Sequence, residues 1–138
     1  RHQAGRTLAI AQAAYATARV EAEVVEFISD KAAAYDWADV VGCRAGASTI
    51  SELAAAGCAA ILVPFPAAVD DHQTHNAAYL TQAGAALLIQ ESELSPQRLA
   101  DTLMALDRVR LLAMAQAARA AAQTEATAKI VACLEACA

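Results

Sequence analysis

Two short segments hold residue types suited to chemistry. The first is the run 44–52, Arg44-Ala45-Gly46-Ala47-Ser48-Thr49-Ile50-Ser51-Glu52. Gly46 lets a backbone turn sharply and leaves room for a ligand to approach closely. A helix starting just beyond it would aim unpaired N–H groups and its positive dipole end at a phosphate. Ser48 and Thr49 add hydroxyl donors, and Glu52, one turn in, could accept both hydroxyls of a ribose. The same spacing has a purely structural reading. Thr49-x-x-Glu52 is a capping box, in which Glu52 only satisfies a backbone N–H, and on this segment alone that reading stands ahead. The run is neither a Walker A loop nor G-x-G-x-x-G, so it does not indicate ATP or NAD.

The second segment is Asp70-Asp71-His72-Gln73-Thr74-His75-Asn76. On a helix Gln73 and Asn76 share a side, as do His72, His75 and Asn76. Paired amides both donate and accept, which suits them to reading sugar hydroxyls. A metal site built on Asp70, His72 and His75 lacks any recognised ligand spacing. The structural alternative is a helix capped by Asp70 or Asp71 with its polar residues in water. Phe27-Ile28, at a strand end, could pair its backbone with a flat heterocycle such as uracil, or simply fill a core. Tyr35 and Trp37 read as helix packing rather than a stacking platform, since no basic residues interleave with them.

Positioning these segments requires strands that alternate with helices. Helix formers occupy 6–19, and Glu23–Ile28 is a short β-branched run. Ser29-Asp30 would cap a helix over 31–37, and 39–43 reads as a second strand. A helix from about Thr49 to Ala56 should stop at Gly57. Ala59–Val63 is apolar throughout, as a strand covered on both faces should be, and Pro64-Phe65-Pro66 ends it. A helix over about 72–82, a strand over 85–89 and a Ser95-Pro96 helix start follow. The rest is helical, with breaks near Asp107 and Gln123. This alternation predicts a Rossmann-like parallel sheet flanked by helices, with ligands beyond the carboxyl ends of the strands. One domain of 138 residues is expected, α/β over about 1–94 and helical over about 95–138.

Composition narrows the function classes. Forty of the 138 residues are Ala, so the core must be built from few large side chains. A net charge of −5 with ten basic residues argues against nucleic acid, because neutralising phosphates takes clustered Lys and Arg. No apolar run reaches the roughly 18 residues that span a bilayer, and no signal peptide is read at Arg1-His2-Gln3. Cys43, Cys58, Cys133 and Cys137 form no C-x-x-C, which favours plain thiols of a cytosolic protein over zinc.

At this point the residues resemble a family. Trp37–Leu53, Val63-Pro64-Phe65-Pro66, Asp71–Ala77 and Gln82–Ala86 are similar, in order and spacing, to the MurG family of bacterial glycosyltransferases. Those enzymes transfer N-acetylglucosamine from UDP-N-acetylglucosamine to lipid I in peptidoglycan synthesis. The likeness runs from His2 through the final helices. It implies the C-terminal half of a GT-B fold, with Ile28 holding uracil through its backbone. Ala47, Ser48 and Thr49 would line the diphosphate and nucleoside, within a matched run that includes Arg44, Gly46, Ile50, Ser51 and Glu52. Glu52 would take the ribose hydroxyls, which reverses the order of the two readings above. Gln73 and Asn76 would hold the N-acetylglucosamine.

The resemblance further implies an inverting displacement of UDP by a lipid I hydroxyl. The field at the α-helix start beyond Gly46, with Arg44, would stabilise the leaving diphosphate. It implies no metal, no cofactor, and peripheral association with the cytoplasmic face of the cell membrane. Members usually carry Ser where this chain has Ala45. Lipid I would bind an N-terminal domain that also supplies the catalytic base, so the chain is expected to hold half a site and to be inactive alone. The family's opening strand and Gly-rich turn are expected to precede Arg1. Two other classes remain on the residues alone: a non-catalytic α/β interaction module, and another UDP-sugar enzyme of the same fold.

Overall fold

The computed structural model describes residues 1–66 and 71–137. They form two compact units, Arg1–Ala34 and Tyr35–Ala138. In the first, β1 (His2–Gln3) pairs in parallel with β2 (Val24–Val25), joined through α1 (Leu8–Ala18). β1 has no apolar run to announce it, so the sequence pattern does not predict it. β2 is shorter than the expected 23–28, and Phe27 is 65% exposed, which removes the core-packing reading for it. Asp30 caps the next helix, α2 (Lys31–Trp37), through a 2.9 Å bond from the Ala33 N–H to Oδ1.

The second unit contains β3 (Val41–Cys43), β4 (Ala60–Leu62) and β5 (Ala86–Leu88), all parallel and in that order. Val41 pairs with Ala60 and Ala60 with Ala86, so the three strands end together. β4, the middle strand, is fully buried, as its unbroken apolar run predicts. α3 (Ala47–Ala56) and α4 (His72–Gln82) are the crossovers, and each brings its N-terminus to the carboxyl edge of the sheet. Gly57, in the left-handed region at φ 70°, closes α3 through N–H bonds to Ala54 and Leu53.

The remaining helices are α5 (Pro96–Met104), α6 (Arg108–Ala121) and α7 (Ala126–Ala136). Ser95 Oγ accepts from the Arg98 N–H, with Pro96 next to it, and Asp107 Oδ1 caps α6 at Arg110. α6 lies on α3: Met114 and Ala118 are buried, and the Arg119 guanidinium donates to the Ala55 carbonyl. The largest fully buried side chains are Leu53, Ile61, Leu62, Leu80, Ile89 and Pro64. Alanines fill the spaces between them, which brings sheet and helices close together. No helix of the described residues is long and apolar enough to cross a membrane.

Candidate functional site at the carboxyl edge of the second sheet

The α3 N-terminus opens at this edge. Its first residue is Ala47, two positions before the expected start, and its N-cap is Gly46 at φ −67°, ψ 147°. That shift overturns the capping box. Thr49 lies inside the first turn, so it cannot cap, and Glu52 sits in the second turn. Gly46 corrects a second expectation, since its backbone is ordinary extended chain that any residue adopts. What the glycine does supply is room. A Cβ there would meet only Thr49 Oγ1, at 3.8 Å. No side chain caps the helix, and the N–H groups of Ala47, Ser48 and Thr49 have no acceptor among the described residues. Ala47 and Ser48 are exposed. The result is an open helix start whose positive dipole end would suit an anion.

The two flanks of α3 differ. On one, Glu52 is half-buried and its Oε2 accepts a 2.8 Å hydrogen bond from the Tyr35 phenol of α2. On the other, α3 and α4 bound a groove of about 610 Å³ with the link between α6 and α7. Ala47, Ile50, Ser51, His75, Asn76 and Tyr79 are among its lining residues.

The amides of α4 reach back to the strand-end loops. Gln73 Oε1 accepts from the Phe65 N–H at 2.9 Å, and Asn76 Nδ2 donates to the Ala45 carbonyl at 3.1 Å. Both amides therefore share one side, as the helical spacing predicts, and each keeps one polar atom for other use. Asp71 stands at the N-cap position of α4 with φ 52° and makes no side-chain cap bond, so the expected Asp71 cap is not formed. The Asp70 cap and the Asp70 ligand lie outside the described residues. Among the described residues no three His, Cys, Asp or Glu side chains come together around a metal-sized space.

Arg44 ties the edge together. Its Nη1 donates to the carbonyls of Val63 at 3.3 Å and Pro64 at 3.2 Å, pairs with Glu91 beyond β5, and stacks 5.5 Å from the Phe65 ring centre. One guanidinium thus spans the loops after all three strands, and its ion pair with Glu91 is half-exposed. Ile28 is in the first unit, where its N–H donates to Gln3 Oε1 at 2.9 Å. Trp37 is 64% exposed, contrary to the packing expected of it.

All four cysteines are free thiols. Burial pushes Cys43 up to about 11 and raises Cys58, with Asp36 adding to the latter. Tyr35 is likewise raised, first by burial and then by Glu52. In each case the folded state holds the proton more tightly than the unfolded chain. Stability should therefore be intact below about pH 9 and fall as pH rises towards 11. For Cys43 the expected loss is about 2 kcal/mol. Denaturant melts at pH 8 and pH 10.5 measure it, and Cys43→Ala should flatten the decline.

The chain matches the glycosyltransferase family 28 C-terminal domain over residues 1–132. It belongs to that family. Among its relatives are two proteins named UDP-N-acetylglucosamine--N-acetylmuramyl-(pentapeptide) pyrophosphoryl-undecaprenol N-acetylglucosamine transferase. The one from Marinobacter nauticus is 57% identical over 99% of this chain and 39% of its own length. The one from Chromohalobacter salexigens is 58% identical over 99% of this chain and 38% of its own length. The crystal structure of Acinetobacter baumannii MurG superposes with a TM-score of 0.87 at 45% identity, over 97% of this chain and 40% of that one. The chain spans about two fifths of the length of these relatives.

Proposed function

We propose that the chain is the donor-binding domain of an inverting glycosyltransferase. It would hold UDP-N-acetylglucosamine while an acceptor hydroxyl of lipid I displaces UDP at the anomeric carbon. The observation that carries this reading is the uncapped α3 N-terminus between a nucleoside flank and a sugar flank. The diphosphate sits on the amides of Ala47, Ser48 and Thr49, where charge developing on the leaving group is stabilised without reorganisation. Glu52 accepts the ribose hydroxyls on one side. Gln73 and Asn76 contact the N-acetylglucosamine on the other, through the polar atoms their loop contacts leave over. Arg44 acts here by fixing the loops, its own charge being paired.

Acceptor binding and the catalytic base belong, in this reading, to the part of the relatives' length that the chain does not span. So does peripheral attachment to the cytoplasmic face of the cell membrane. The names of its relatives, and the place of the α3 N-terminus at the strand carboxyl ends, support the assignment. The test is titration with UDP and UDP-N-acetylglucosamine, followed by calorimetry and melting temperature. A ligand that binds only the folded state raises the melting temperature. Both nucleotides should do so, and ATP at equal concentration should not. No response to either uridine nucleotide would overturn the reading.

A further inference from the structure

The Tyr35–Glu52 hydrogen bond lies beside the same helix start. Glu side chains are flexible, and one that must grip two adjacent hydroxyls binds better when its carboxylate is already oriented. Tyr35 is itself firmly anchored. Its ring packs against the buried cluster that includes Ile50, Leu53 and Leu62. Its carbonyl is held from two directions, by the Ala38 N–H at 3.2 Å and the Cys58 thiol at 3.3 Å. From that anchored position the phenol O–H reaches Glu52 Oε2 at 2.8 Å across seventeen residues of sequence.

We propose that Tyr35 is a positioning residue that orients the Glu52 carboxylate for the pentose of a bound nucleoside diphosphate. The inference rests on the donor-binding reading above. It goes beyond that reading in assigning ribose selectivity to a pair of residues on different helices rather than to Glu52 alone. Burial and the neighbouring carboxylate keep the phenol protonated well past neutrality, so the donor is present at any working pH. Tyr35 touches no substrate in this scheme and acts only through Glu52.

The test compares UDP with 2′-deoxy-UDP on the complete natural polypeptide that carries this chain, using Tyr35→Phe, which removes only the hydroxyl. The wild-type protein should prefer UDP by tenfold or more. Tyr35→Phe should weaken UDP three- to tenfold, weaken 2′-deoxy-UDP distinctly less because one of the two hydroxyls is gone, and shift the melting temperature by no more than about 2 °C. Combining it with Glu52→Ala should cost nothing beyond Glu52→Ala alone, because the hydroxyl then has nothing to orient. A merely structural role for Tyr35 would weaken both nucleotides in parallel and add to Glu52→Ala, and that pattern overturns the proposal. If the wild-type protein binds no UDP, or binds both nucleotides equally, the donor-site reading fails and the inference falls with it. If the wild-type discriminates and Tyr35→Phe discriminates equally well, only the inference fails.

Discussion

Gly46→Asp should abolish nucleotide binding while leaving the protein as stable as before, or slightly more so. Most site mutations lower both quantities, so the opposition is diagnostic. Gly46 holds the extended conformation typical of an N-cap, at φ −67° and ψ 147°, which Asp adopts without strain. The space its side chain needs is open. The carboxylate would cap the amides of α3 and favour the helix dipole, a gain of about 0.5 kcal/mol. It would also fill the open helix start and oppose a diphosphate with like charge at close range. A hundredfold or greater loss of UDP affinity is expected, about 3 kcal/mol. Denaturant melts and calorimetric titration of the same preparation check both halves. Unaltered UDP affinity in a folded Gly46→Asp protein would remove the α3 N-terminus from the site.

Glu52→Ala is expected to weaken UDP by roughly 1–3 kcal/mol, the usual cost of losing a charged hydrogen-bond partner. That corresponds to roughly five- to 150-fold in affinity. Glu52→Gln, which keeps the shape and one acceptor but not the charge, should fall between. Glu52 is half-buried and Tyr35 is its neighbour on α2, so the Ala variant leaves a phenol that water can partly satisfy. The melting temperature should therefore move little compared with the affinity. Full-strength UDP binding by Glu52→Ala would mean that the carboxylate serves α2–α3 packing alone.

The two substitutions also separate what a one-dimensional reading of 44–52 can and cannot tell. Glycine, hydroxyls and a carboxylate within nine residues suggest a phosphate-and-ribose site. They equally suggest a capped helix, and Thr49-x-x-Glu52 fits the capping pattern better than most. The difference lies in where the helix begins. Two residues of extra helix place Thr49 inside the first turn and turn Glu52 towards α2. Helix ends are set by a balance of capping and tertiary contacts too fine for sequence to fix. Tyr35 was missed for a related reason. Its spacing suits helix packing, and it does pack, but its hydroxyl meets a residue that only the β3–α3 crossover brings near.

The elements themselves were largely written in the chain. The unbroken apolar run of β4, the stop at Gly57, the Ser95-Pro96 start and the Asp107 cap are local signals, and each depends on a few neighbouring residues. So are α2 and α4, whose bounds follow from Asp30 and from the break at Gly84. β1 escaped because two residues carry no period, and their pairing with β2 is formed across the α1 crossover. Helix packing for Trp37 and core packing as one of two readings for Phe27 follow from residue type, but burial depends on what lies opposite, and both stand exposed.

Sequence alone thus determined the α/β class, most crossovers, and which two segments reach the carboxyl edge of the sheet, because backbone propensity and short-range capping act over a few residues. Tertiary structure decided the rest. It spent Arg44 on three carbonyl and carboxylate partners, used half of each α4 amide to hold a loop, and set a phenol against Glu52. Those assignments depend on distances between residues far apart in the chain, and a polar group's chemistry is fixed by the partner that reaches it first.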